Sequence, residues 1–348
     1  VRNDETQNTT IAFQDSPKRW KSTSLPLSNE YIRANRDYFS YVFHIRIIAF
    51  YRKNSIIVFK NDRRCIISKI IDGKSLSKDI EQELAKEVEE IKKHGITPSL
   101  SILQVGDNKA SETYARSIRK RAEKLGVYAE HFRMNEEASE EDVLSAIKKL
   151  NERKEINGII VELPLPKNID SKKVLATINP DKDIDAFHPI NMGRLLEGNP
   201  IFIPATAQSV IETIKRTTSI DGKSAVVIGR SNIVGKPAAL LLLAENATVT
   251  ICHSHTKNLP LVASKADILV VSTGRPKMIN RRFVKRGAVV IDVGINKVNG
   301  KIVGDVDFDD VVDVAGAITP VPGGIGVLTT LMLIKNTIKA AKIQNNIE

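Results

Sequence analysis

Cysteine is nearly absent from this chain: Cys65 and Cys252 are the only two among 348 residues. Two thiols so far apart exclude a disulfide framework and lack metal-ligand spacing, so no metal is expected and a reducing, cytoplasmic setting is. Long hydrophobic runs are missing as well. No apolar stretch reaches the roughly 18–20 residues of a spanning helix, so no membrane partner is expected. Charge of one sign is in excess, with 52 Lys/Arg against 41 Asp/Glu, but the excess is uneven. Residues 1–69 carry 13 basic and 6 acidic residues, a net +7, while the rest carry 39 and 35, a net +4. The body therefore lacks the basic stripe with interleaved aromatics of a nucleic-acid surface, and no nucleic-acid partner is expected.

Aromatics are scarce beyond residue 65, because ten of the 17 lie in residues 1–65, as in Tyr38-Phe-Ser-Tyr-Val-Phe43. The chain starts at Val1 and its first methionine is Met134. A targeting peptide fits poorly with Asp4, Glu5, Asp15 and Glu30. An interfacial segment over 42–59 is interrupted by Arg46, Arg52 and Lys53 without helical spacing. The expectation for 1–65 is a disordered extension or an over-extended reading frame, with a native start near Ile67.

From Ile67 the pattern is regular. Helical periodicity is expected over 76–93, 111–125 and 140–152, and strands over 99–105, 127–132 and 158–162. A second series follows: helix 209–216, strand 225–228, helix 238–243, then strands 247–252, 268–272 and 288–293. A last apolar helix, 326–342, closes the chain and is expected to pack back across both halves. Strands alternating with helices give an α/β protein with two α/β domains and a central cleft. The first domain spans 66–204, with helix 326–343 returning to it, and the second, a Rossmann-type dinucleotide-binding domain, spans 205–325.

The second domain opens on Gly229-Arg-Ser-Asn-Ile-Val-Gly-Lys-Pro237, a strand, a glycine turn and a helix start. That arrangement seats a phosphate against backbone N–H groups and a helix dipole. Its G-x5-G spacing is not the usual G-x-G-x-x-G, so alone it fits an ordinary βα turn equally well.

Six motifs in order settle the reading: Tyr114 on a helix, Leu163-Pro-Leu-Pro166, Asp183-Ile-Asp-Ala-Phe187, the Gly229–Pro237 turn, Cys252-His-Ser254 and Thr319-Pro-Val-Pro-Gly-Gly324. Together they resemble the methylenetetrahydrofolate dehydrogenase/cyclohydrolase (FolD-type) family from about Ile67 onward. The resemblance implies a cleft holding a folate against NADP, commonly in a homodimer. It implies oxidation of 5,10-methylenetetrahydrofolate to the methenyl form, which most members then hydrolyse to 10-formyltetrahydrofolate. By the same resemblance Tyr114 stacks on the folate, Asp185 pairs with the pterin, and Leu163, Pro164, Pro322, Gly323 and Gly324 wall the pocket. Gly229, Arg230 and Ser231 lie beside the pyrophosphate, Arg230 and Ser254 meet a 2′-phosphate, and Ile295 touches the nicotinamide side. Without the resemblance, Tyr114 reads as a half-buried helix aromatic, and Asp181 and Asp183 as solvated loop residues. The second strand of that domain ends in Cys252-His253-Ser254 with no acid, which favours NADP over NAD.

Two departures bear on hydrolysis. The family's lysine four residues after the tyrosine is here Ile118, and the glutamine before Leu-Pro-Leu-Pro is Glu162. Lys120 matches a second, less critical basic position, on another face of the helix. Two accounts stay open: Glu162 acts as a base on water, or hydrolysis is weak or lost. Hydride transfer asks for positioning only, so it is expected either way. Smaller departures are Ala186 for glycine, 204–207 for the usual Pro-Cys-Thr-Pro turn, and Val327 for proline. A binding protein without chemistry, and a nucleic-acid binder acting through the leader, are the competing classes.

Overall fold

The computed structural model describes residues 50–52, 55–58 and 66–347. Most of the expectation for the leading segment lies outside the described residues. Within it, strands β1 (Phe50–Arg52) and β2 (Ser55–Val58) pair antiparallel, Phe50 opposite Ile57.

The body begins with β3 (Ile66–Ile70) and α1 (Gly73–Lys93). Asp72 caps α1 by accepting the Lys74 N–H at 2.9 Å, and Ile80, Leu84, Val88 and Ile91 bury one helix face. Then come β4 (Ser99–Val105), α2 (Lys109–Lys124), β5 (Tyr128–Met134), α3 (Glu140–Glu152) and β6 (Gly158–Val161). Helix α2 starts earlier than position 111 because the Asn108 side chain accepts from both Ala110 and Ser111 N–H. Helix α3 has the expected bounds, set by a Ser139–Asp142 capping box. The three strands form a parallel sheet in the order β5-β4-β6. Its central strand is buried at every position, as a strand covered on both faces should be.

Short helices α4 (Ser171–Leu175) and α5 (Pro189–Leu196) lead to α6 (Ala205–Lys215). The second series runs β7 (Ser224–Ile228), α7 (Gly235–Ala244), β8 (Thr248–Cys252), α8 (Leu259–Ala263), β9 (Ile268–Val271) and β10 (Val289–Asp292). A hairpin of β11 (Asn296–Val298) and β12 (Lys301–Val303), helix α9 (Phe308–Val311) and strand β13 (Ala317–Ile318) follow. The large sheet has the order β1-β2-β3-β13-β10-β9-β7-β8. Its parallel strands β8-β7-β9-β10-β13 form a doubly wound 2-1-3-4-5 pattern, whose switch point falls between β7 and β9. Strand β3 joins this sheet, not the first one, through Lys69 N–H to Gly316 O and Ile71 N–H to Ile318 O at 2.9 and 2.8 Å. Nothing in five apolar-rich residues announces which sheet they join.

Helix α10 (Thr329–Gln344) begins after the expected 326 because Ile325–Val327 form a 3-10 turn first. It is buried on most sides and lies against α1, α2, β4, β6 and α6. Its Asn336 amide donates to two backbone carbonyls, Ile184 at 2.7 Å and Ile203 at 2.9 Å. Among the described residues no helix is long and apolar enough to cross a membrane.

Candidate active site

Strand β6 ends at Val161, but the Glu162 N–H still reaches Leu103 O at 2.9 Å, so the residue continues the line of the sheet. Its side chain is only 8% exposed, and Oε1 has no hydrogen-bond partner among the described residues. The loop after Lys182 is built on Asp183, which is buried and not a solvated loop residue. Its carboxylate accepts from the N–H groups of Phe187 and His188 and from Asn191 Nδ2 at 3.2, 2.8 and 2.8 Å. Burial raises its pKa and these bonds oppose the rise. Asp181 stays exposed.

Asp185 is half-buried, and its carboxyl accepts the Ala205 N–H at the start of α6, where Pro204 supplies no side-chain cap. Burial first, and Asp183 second, push its pKa up to about 7. Burial first, and Asp185 second, push Glu162 to about 8. The two carboxyls lie close enough for the charge of one to oppose ionisation of the other. Tyr114 on α2 completes the cluster. Its phenol is hydrogen-bonded to Thr329, and burial, Asp185 and Glu162 raise its pKa in spite of that bond.

Ile118 lies one turn beyond Tyr114, yet it does not open onto this cluster. It is fully buried among Leu100, Ile102, Ala115 and Ala122. It belongs to the apolar cluster against which Tyr114 also packs. Lys120 is exposed.

The opposing wall is the 319–330 segment. Leu163–Pro164 and Val321–Pro322 are both cis peptides. Gly323 has φ of 106°, and its carbonyl accepts the Gly73 N–H at 2.9 Å. A Cβ on Gly73 would lie 2.3 Å from Gly324 O, so a glycine is required for this approach. Arg121 Nη1 holds the Val327 carbonyl at 2.6 Å and Thr330 Oγ1 at 3.2 Å, while its Nε meets Glu81 at 3.5 Å. Thr329 Oγ1 donates to Gly326 O at 3.2 Å. Ile295, 66% exposed, puts its Cδ1 3.3 Å from where a Gly326 Cβ would be. One short turn, 326–329, thus touches Ile295 at one end and holds Tyr114 at the other.

Ile295 follows β10, at the same carboxyl edge of the sheet as Gly229. Gly229 has φ of 139°, and a Cβ there would lie 2.3 Å from Ser272 O. A Cβ on Gly235 would lie 2.3 Å from Gly229 O. Both glycines are needed to fold the turn against β9 and α7, directly over the switch point. Ser231 Oγ accepts from Val234 and Gly235 N–H at 3.1 and 3.3 Å, tying the turn to the start of α7. Ile228 and Cys252 are register partners, so exposed Arg230 and Ser254, each two residues beyond, project from neighbouring strand ends. A glycine cradle, a free arginine and a strand end without an acid fit a dinucleotide bearing a 2′-phosphate. The small hollow at the other end of these strands, lined by Thr218, Lys223, Asp267, Lys285 and Arg286, is at the edge where such sheets do not bind ligands.

Comparison with known proteins agrees. The family model "Tetrahydrofolate dehydrogenase/cyclohydrolase, catalytic domain" matches residues 71–185, and the NAD(P)-binding domain of the same name matches 204–345. The chain belongs to the tetrahydrofolate dehydrogenase/cyclohydrolase family. It is 54% identical over 278 residues to the Bifunctional protein FolD of Listeria innocua, covering 79% of this chain and 98% of that protein. The Campylobacter jejuni FolD crystal structure superposes with a TM-score of 0.78 at 43% identity, covering 79% of this chain and 99% of that one. The Trypanosoma brucei FolD structure, a complex with NADP cofactor and inhibitor, gives 0.75 at 38%, covering 79% and 98%.

Against the family pattern, Ala186 has φ of 57°, a left-handed backbone that explains why glycine is usual there. Sequence reasoning missed Gly73, Arg121, Asn336 and the buried pair Asp292 and Asp305. Asp292 accepts from Gly294, Asp305 and Val306 N–H at 2.9, 3.1 and 2.9 Å, and burial pushes its pKa up to about 6. Asp305 accepts from Thr273 and Gly274 N–H at 2.5 and 2.9 Å, fixing the loop after β9. A glycine within two residues of each acid, in Asp292-Val-Gly294 and Gly304-Asp305, is the only local signal for such knots.

Proposed function

We infer that the chain oxidises 5,10-methylenetetrahydrofolate to 5,10-methenyltetrahydrofolate with NADP, within one-carbon metabolism. The observation that carries this reading is the 326–329 turn, which brings Tyr114, and with it Glu162 and Asp185, to the same point as Ile295 at the carboxyl edge of the Rossmann sheet. When bound, NADP serves as hydride acceptor. The protein's own task is alignment and exclusion of water.

In this reading Tyr114 is the platform for the folate rings, and Asp185 accepts from the pterin amine and ring nitrogen. Leu163, Pro164, Pro322, Gly323 and Gly324 wall the pocket. Gly229 and Ser231 border the pyrophosphate, Arg230 and Ser254 take the 2′-phosphate, and the Ile295 backbone borders the nicotinamide. The enzyme works as a homodimer in the cytoplasm. Hydrolysis of the methenyl product is weak or absent, which is supported by Ile118 being sealed in the core where the family has a lysine. The Listeria relative is named bifunctional, so this is where the chain would part from it.

A paired assay tests both halves. Methenyl product should accumulate with methylenetetrahydrofolate and NADP, and should then decay no faster than in buffer. Absence of turnover with NADP would overturn the first half, and rapid decay the second. Ile118→Lys combined with Glu162→Gln should raise the decay rate by about a hundredfold or more, the scale of one acid–base group.

A further inference from the structure

Glu162 is a buried acid without a cation. Burial leaves it 8% exposed with Oε1 unpartnered, and among the described residues Asp185 is the one charged group acting on it. The groups around it are Tyr114 from α2, with Thr329 behind the phenol, and Asp185 from the loop, with Asp183 and His188 behind that carboxyl. The position on α2 where the family has a lysine holds apolar Ile118. Relative to the family pattern the pocket has therefore lost one positive charge and gained one ionisable acid. Leaving a lone carboxyl in such a place is costly unless something positive arrives.

The reaction supplies it. Breaking the methylene C–H bond sends both electrons out as hydride to NADP and leaves the carbon between two nitrogens with a single positive charge. We propose that Glu162 is the counter-charge to this cation, ionising as the cation forms and thereby favouring hydride loss and the cationic product over neutral folates. Its proton goes to solvent, so the carboxylate and the new cation balance. Such preorganised opposite charge acts more strongly in a water-poor site than in bulk. A carboxylate beside the cation also disfavours attack by hydroxide, consistent with weak hydrolysis. The idea rests on the proposed dehydrogenase activity and assigns to that site a preference for the positively charged folate.

The test is binding, not turnover. Methenyltetrahydrofolate and tetrahydrofolate are titrated into the full chain between about pH 6 and 8, within seconds of mixing, and proton release is followed with an indicator dye. Affinity for the methenyl cation should rise with pH, by up to about tenfold per unit, with up to one proton released, because cation binding lowers the pKa of Glu162. Tetrahydrofolate should show only the slope that Asp185, with its pKa pushed up to about 7 and its bond to the pterin, imposes on both ligands alike. Glu162→Gln should bring both ligands to that shared slope, and Glu162→Asp should keep the extra methenyl slope with smaller amplitude; unchanged NADP affinity reports that each variant is folded. A methenyl slope no steeper than that of tetrahydrofolate in the native chain, or the same excess slope in Glu162→Gln, overturns the proposal. In that outcome Glu162 is a neutral mimic of glutamine. Failure to bind either folate would instead overturn the dehydrogenase reading itself.

Discussion

The two sides of the cleft are made of different materials. On the cofactor side the site is backbone: Gly229 and Gly235 leave no room for a Cβ, and N–H groups and a helix end supply the polarity. On the side proposed for folate it is side chains, three ionisable groups brought together from α2, the end of β6 and the loop before α5. A backbone site is rigid and electrically quiet, so it tolerates change in pH but not in shape. A side-chain site of buried acids is the reverse.

That contrast can be broken in graded steps. The largest expected effect is on the acid side. Glu162 has a folded-state pKa of about 8 against an ordinary 4.5, so the native state binds the extra proton across that window. Its contribution to stability is fully present below about pH 4.5 and lost as pH rises through about 8. Glu162→Gln should therefore flatten this part of the profile and be the more stable protein above pH 8, by up to about 4 kcal/mol. Urea melts at several pH values would check it, and parallel profiles would contradict it.

Next is shape. Gly235→Ala places a Cβ against Gly229 O and should cost about 3 kcal/mol, with NADP affinity falling while folate affinity holds. Calorimetry with each ligand separates the two, and equal losses would mean the sides are not independent. The smallest effect joins both themes. Ala186→Gly relieves a left-handed backbone beside Asp185 and should stabilise by about 1 kcal/mol, read as a rise in Tm. No rise would show that the loop's hydrogen bonds already offset the strain.

Legibility in the sequence followed the same division. Periodicity located strands β4 to β10 and the longer helices but not β3, β11, β12, β13 or the short helices, because only amphipathic faces such as that of α1 and buried runs such as β4 are written locally. The glycine turn was visible as a motif, though its spacing could not distinguish a phosphate seat from an ordinary turn. The close approach of Gly229 to Ser272 makes that distinction, and it depends on a residue 43 positions away. Glu162 and Asp185 could be named from the resemblance, but their shared burial could not. Ile118 could be named as the residue one turn from Tyr114, but its complete burial in the apolar core could not. Arg121 and Asn336 act through partners 206 and 152 residues away, beyond any local pattern.

Asn336 carries a consequence for the order in which the enzyme comes into being. Its amide nitrogen is the donor for the carbonyls of Ile184 and Ile203, the residues flanking the Asp185 loop on one side and α6 on the other. Buried carbonyls do not remain unpaired in a finished structure. During synthesis the loop must therefore wait for a helix made 152 residues later before it can set. The nascent first domain should have its sheet long before it has a folate site, and a ribosome-stalled chain ending before residue 336 should not hold folate.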